Sequence, residues 1–132
     1  GRTGLVAVVT ALLFLLALAR IQRGEDPGAA VVAVFNDTAS RMQRAGIREP
    51  LRFCAALSDG NTLIAFRLAS DAQPPTLYLR RGATGSIVAS EPLDDSDVEW
   101  EALPSGALLR ITLMGYRIER VAHDSAQTVE TA

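Results

Sequence analysis

The chain has 132 residues, of which 48% are hydrophobic and 5% aromatic, and carries a net charge of −2. That length and apolar content suit one domain with a core of its own, and the slightly acidic balance argues against a nucleic-acid surface, which carries a basic patch. One cysteine excludes an internal disulfide and a cysteine-based zinc site, and one histidine, His123, argues against an all-protein metal centre.

All 13 basic residues are arginine. This fits GC-rich coding, and a solvated surface is the default place for them. The low cysteine count fits a reducing compartment, so a cytoplasmic protein is expected. The absence of a methionine at Gly1 is read as the mark of a fragment.

Leu5 to Ala19 is apolar except for Thr10. A spanning helix needs about 20 apolar residues to cross about 30 Å of hydrocarbon, and this run is shorter. Arg2 and Ala17-Leu18-Ala19 supply weak versions of a signal peptide's basic start and exit. The preferred reading is a helix buried from several sides and ending near Gly24. Leu13, Leu16 and Ala17 share its stripe.

Asp26-Pro27 then reads as a helix start, with aspartate as N-cap and proline in the first turn. Val31, Val34, Phe35, Thr38 and Met42 follow as one apolar face. Gly46 is a C-terminal stop, and Pro50 ends the linker.

From Leu51 the period changes to two. Leu51, Phe53, Ala55 and Leu57 point one way, and Arg52, Cys54, Ala56 and Ser58 the other. The second set is only partly polar, so this strand is expected to be central. Asp59-Gly60 makes a tight turn, and Thr62 to Leu68 returns antiparallel. Thr76 to Arg80 and Ser86 to Ser90 form the next strands around a Gly82–Gly85 turn. Asp94 to Glu101, with Trp100 inside it, reads as a solvated acidic loop. Leu103-Pro104-Ser105-Gly106 turns into a strand from Ala107 to Leu113, and Gly115 permits a hairpin to Tyr116–Val121. Residues after Ala122 are small and polar and are expected to fray.

Two helices followed by about six mainly antiparallel strands predict an α+β fold rather than a parallel βαβ sheet. The ordered set resembles the C-terminal part of the class II glutamine amidotransferases, a family of N-terminal-nucleophile hydrolases. The residues that carry the resemblance are the Ala-Leu-Leu-Phe-Leu-Leu-Ala-Leu helix, the Leu57-Ser58-Asp59-Gly60 hairpin, Ala89-Ser90-Glu91-Pro92-Leu93, and Trp100 before Leu103-Pro104-Ser105-Gly106. They span about Leu12 to Val121. The resemblance implies a single partial αββα sandwich over residues 1–132, with the N-terminal half missing and 122–132 a frayed tail. The branch it is closest to is that of the stand-alone γ-glutamyl amidohydrolases, including the ergothioneine-pathway enzyme. The arginine- and alanine-rich composition is compatible with an actinobacterial source, where that pathway occurs.

In that family an N-terminal cysteine thiolate attacks the glutamine carboxamide, with the α-amino group as base. This chain starts at Gly1, and the segment matching the family's acidic glutamine anchor, Gly1 to Thr10, contains no acid. No catalytic residue is therefore assigned. Cys54 lies mid-strand among apolar neighbours, where a thiol packs as a small hydrophobe. A Cys54–His123–Asp124 constellation would need the tail to fold onto the sheet. Ser90 and Glu91 are the substrate-binding candidates, because they sit at a strand end that can reach a cleft. The competing reading is that they satisfy backbone groups of the turn. Asp59 is read as a turn former, and Arg67 as pairing with an acid or snorkelling.

The resemblance implies no cofactor or metal, and a glutamine or γ-glutamyl substrate for the full-length family. No nucleic acid and no membrane are expected as partners. Self-association or pairing with the missing half is expected, because a half-domain leaves apolar surface uncovered. Two further readings are kept: a non-catalytic partner-binding or structural domain, and a secreted or membrane-tethered β-domain.

Overall fold

The computed structural model describes the main chain of residues 2–72, 76–82, 85–92, 100–121 and 126–131, and side chains from residue 11 to residue 121 within those ranges. The chain divides into two compact units, Gly1–Glu49 and Pro50–Ala132.

The first unit is a pair of helices, α1 (Arg2–Gln22) and α2 (Pro27–Arg44), packed on each other. Asp26 caps α2 as expected, its carboxylate accepting the Ala29 N–H at 3.0 Å. A cap of this kind contributes about 1 kcal/mol. Both helices end in the same glycine motif. The Glu25 N–H donates to the Arg20 carbonyl and that of Gly24 to Ile21; in α2, Ile47 donates to Met42 and Gly46 to Gln43. Gly24 and Gly46 have φ of +96° and +76°, the left-handed conformation this motif requires. An Arg20–Glu25 ion pair at 3.0 Å spans the first of these turns.

The apolar face of α2 is buried at Ala30, Val31, Val34 and Phe35, with Thr38 and Met42 half-buried. In α1 only Leu13 and Ala17 of the side chains described are buried; Leu12, Phe14, Leu15, Leu16 and Leu18 are exposed. The expectation of burial from several sides is thus corrected, and Leu16 leaves the buried stripe. Leu13 and Ala17 lie one turn apart on one line of the helix, and Leu16, three residues from Leu13, borders that line and stays exposed. Among the described residues no helix is long and apolar enough to cross a membrane.

The second unit holds two sheets. β1 (Arg52–Ser58), β2 (Leu63–Ala69), β6 (Ala107–Thr112), β7 (Gly115–Val121) and β8 (Ala126–Thr131) form a five-stranded sheet in the order β1-β2-β6-β7-β8. β3 (Tyr78–Gly82), β4 (Gly85–Ala89) and β5 (Trp100–Ala102) form a three-stranded sheet in the order β4-β3-β5. Every pairing is antiparallel. The α+β class expected from the sequence is therefore the class observed.

Of the eight strands among the described residues, two were not expected. β5 lies where the acidic loop was placed, with Trp100 half-buried and the Arg80 guanidinium 5.8 Å from its ring centre. Residues 93–99, the rest of that acidic run, lie outside the described residues. β8 lies in the tail expected to fray, where it pairs with β7. Thr128, Val129 and Thr131 are β-branched and suit a pleated strand.

Period-two alternation gives the larger sheet two faces. On one, Ala65, Ala107, Leu109, Tyr116 and Ile118 pack with Leu77, Leu79 and Leu103 into a core cluster between the sheets. Arg81 closes it, its guanidinium 4.7 Å from the Tyr116 ring centre. The other face carries buried Ile64, Phe66, Leu68 and Leu108. It also carries an acid that periodicity does not reveal. Glu119 is buried and accepts from Arg110 at 2.9 Å and Arg117 at 2.6 Å.

β1, expected to be central, ends the sheet. Its side chains alternate between exposed and half-buried, whereas β2 beside it is mostly buried. The small Cys54 and Ala56 mislead here: they look apolar enough for a core, yet lie on an open rim.

Candidate functional site

The Asp59-Gly60 turn behaves as expected. The Asp59 carboxylate accepts the N–H groups of Asn61 and Thr62, each at 2.9 Å. Those two bonds hold its carboxyl below the usual aspartate range, because hydrogen bonds to a carboxylate favour the charged form. Gly60 has φ of +93°. This is a scaffold turn with its polar groups engaged.

Cys54 is exposed, which corrects its expected place in the core. Its thiol lies 3.8 Å from the Thr76 carbonyl. Partial burial pushes the thiol up from its ordinary value, against the opposing pull of Arg67, its register partner on β2. A thiol so held is largely protonated at neutral pH and a weak nucleophile. Arg67 donates to the main-chain oxygen of Leu103, a carbonyl contact that the sequence reading did not include.

Ser90 and Glu91 follow β4 and are both exposed. The Thr76 hydroxyl donates to the Ser90 carbonyl at 2.7 Å. Thr76 therefore joins two places that the sequence treats separately: its carbonyl meets Cys54 and its hydroxyl holds the strand end carrying Ser90 and Glu91. Among the described residues neither the Ser90 nor the Glu91 side chain bonds a neighbour. Nothing in the sequence singles out Thr76, since its role rests on a contact across 22 residues to Cys54 and 14 to Ser90.

His123 and Asp124, the other members of the conditional cysteine constellation, lie outside the described residues. Among the described residues there is no group of three or more histidine, cysteine or acidic side chains that could hold a metal ion.

The fold and the ordered hairpins are those of a known protein class. The chain is similar to a solved structure described as a glutamine aminotransferase class-II domain protein from Silicibacter pomeroyi. The two share 34% sequence identity with a TM-score of 0.75, over 86% of this chain and 51% of that one. Agreement of sequence and fold together supports the class II glutamine amidotransferase family, which the sequence pattern also resembles. The chain spans about half the length of that solved protein. No protein-family model and no curated protein matches the chain.

Proposed function

We propose that these residues form the scaffold-bearing part of a class II glutamine amidotransferase-like domain. The joint likeness in sequence and fold to the Silicibacter pomeroyi protein carries this reading. In such a domain a cysteine thiolate attacks the carboxamide carbon, the C–N bond breaks, and ammonia leaves. Water then hydrolyses the thioester to the free acid. Cys54 is not built for the first step. Its described neighbours are the Thr76 carbonyl and Arg67, and neither can take the thiol's proton. In this reading the chain supplies framework and the strand end carrying Ser90 and Glu91, and Cys54 is not the nucleophile.

The 132-residue chain by itself is expected to release no ammonia from glutamine above the buffer rate. A coupled glutamate dehydrogenase assay measures this. Ammonia release that disappears in Cys54→Ala would sink the reading.

Within the family we assign the chain to the γ-glutamyl amidohydrolase branch that includes the ergothioneine-pathway enzyme, on the sequence resemblance. Ser90 and Glu91 are assigned to the substrate site, because their side chains are uncommitted at a strand end. In the protein expressed from its complete reading frame, kcat/KM is expected to be higher for a γ-glutamyl amide than for glutamine. Glu91→Ala is expected to lower it by roughly 10- to 100-fold, as the loss of a charge-assisted hydrogen bond implies. An unchanged kcat/KM in that variant removes Glu91 from the site; a preference for glutamine removes the branch. The reading goes with a cytoplasmic protein, since its chemistry needs a reduced thiol.

The second reading, a non-catalytic partner-binding or structural domain, is favoured by one observation. Leu12, Phe14, Leu15 and Leu16 expose an apolar helix surface, and such patches seek partners. Self-association or pairing with the remaining part of the domain belongs to either reading.

A further inference from the structure

The chain has one Asp-Gly pair, Asp59-Gly60, and no Asn-Gly pair. Such a pair carries a reaction of its own. The Gly60 nitrogen follows directly after a residue with a side-chain carboxyl, and glycine has no Cβ to shield it. The nitrogen electron pair can form a bond to Asp59 Cγ and close a cyclic imide, while the carboxyl hydroxyl and the amide proton leave as water. Water then reopens the ring. Opening at Cγ restores aspartate. Opening at the former main-chain carbonyl sends the chain through the side chain instead, which leaves an isoaspartyl residue. The sum is an isomerisation, and water is its only reagent.

Burial does nothing to prevent this, because Ser58, Asp59, Gly60 and Asn61 are all exposed. Hydrogen bonds hold both reacting groups instead. The Gly60 N–H donates to Ser58 Oγ at 3.1 Å. A serine hydroxyl is too weak a base to take that proton, so the bond fixes the amide and does not activate it. Asp59 Oδ1 accepts the Asn61 and Thr62 N–H groups, each at 2.9 Å. These bonds aim the carboxylate along the turn, past the Gly60 nitrogen. They also favour the ionised carboxylate, which cannot expel a hydroxyl. The Asp59 N–H closes the loop by donating to the Thr62 carbonyl at 3.4 Å.

We propose that Asp59 is a latent isoaspartyl modification site, held shut in the folded chain by the Ser58 hydroxyl and the Asn61 and Thr62 amides, and reacting when the turn opens. The reaction matters to the fold. It adds a methylene to the main chain inside the β1–β2 turn, next to the Ser58–Leu63 pair that ends the register. It also moves the carboxylate away from the two amides it now holds. The product belongs to the substrate class of enzymes that methylate isoaspartyl carboxylates. The inference is independent of the amidotransferase reading.

The test is to age the protein expressed from its complete reading frame for several weeks at neutral pH and physiological temperature. The tryptic peptide Phe53–Arg67 has Asp59 as its one acidic residue. Isoaspartate in it is read by electron-transfer mass spectrometry, and by methylation with a purified isoaspartyl methyltransferase and labelled S-adenosylmethionine. In the unsubstituted protein it is expected to form at least about 10-fold more slowly in buffer than in guanidinium chloride, since reaction waits on local opening. Ser58→Ala should form it at least about 5-fold faster in buffer than the parent, the factor that one hydrogen bond is worth. Ser58→Thr keeps the hydroxyl and should stay slow. A guanidinium titration gives the unfolded fraction of Ser58→Ala, which should be far too small to account for its rate. Equal rates for the parent in buffer and in denaturant overturn the proposal, and they do so even if Ser58→Ala fails to fold. A Ser58→Ala rate equal to the parent's, or one matched by its unfolded fraction, also overturns it.

Discussion

Phe66→Ala is expected to destabilise the chain by about 3–5 kcal/mol, the range for a large aromatic cut back to alanine in a core. The residue has no exposed surface. Its ring centre lies 6.3 Å from that of Phe53, tilted by 53°. Ala55 and Leu108 are its partners on the two flanking strands, so all three strands border the cavity. Against a total stability of roughly 5–15 kcal/mol, the loss is large enough to leave much of the protein unfolded at moderate temperature. Urea titration followed by circular dichroism measures it. Leu113→Ala is the control, because that side chain sits fully exposed at the β6–β7 turn and should change stability by less than about 0.5 kcal/mol. A Phe66→Ala effect as small as the control's would mean that the ring is not in the core.

Glu119→Ala is expected to cost about 2–4 kcal/mol, from the loss of a nearly buried ion pair. The Glu119 side chain is 10% exposed and that of Arg110 is 17% exposed. Removing the carboxylate takes away the acceptor that the nearly buried Arg110 Nε bonds at 2.9 Å. Arg117 is different. Its side chain is 47% exposed, water screens it, and Arg117→Ala should cost less than about 1 kcal/mol. A double-mutant cycle separates the two. Arg110→Met with Glu119→Leu should recover most of the loss, because a packed apolar pair can replace a buried ion pair. If the double variant is as unstable as Glu119→Ala, the loss of the ion pair is not the cause.

The helices were legible because their signals are local. Asp26-Pro27 states where α2 starts, Gly24 and Gly46 state where helices stop, and Val31, Val34 and Phe35 mark a face. The β1–β2 hairpin was legible for the same reason, with Asp59-Gly60 between two period-two runs. What failed was knowledge of neighbours. Cys54 and Ala56 have the same composition whether their strand is central or outermost. Leu16 is as apolar as Leu13, and only packing exposes one and buries the other. Trp100 within an acidic run looks solvated until β3 lies beside it.

The site divides along the same line. Ser90 and Glu91 could be picked out only as candidates, because they fall at a strand end before Pro92, where chain direction alone suggests access. Thr76 could not, since its importance lies in touching Cys54 and Ser90 at once. The Glu119 cluster was equally hidden: Arg110 and Arg117 become neighbours only through the β6–β7 register.

By itself, then, the sequence determined the α+β class, the helix caps, the Asp59 turn and the resemblance to class II amidotransferases, all carried by residues close in the chain. The tertiary structure decided which strand is an edge, which apolar side chains are covered, and which polar groups meet. Those are set by strand order and register, which bring together residues from distant parts of the chain that no local pattern links.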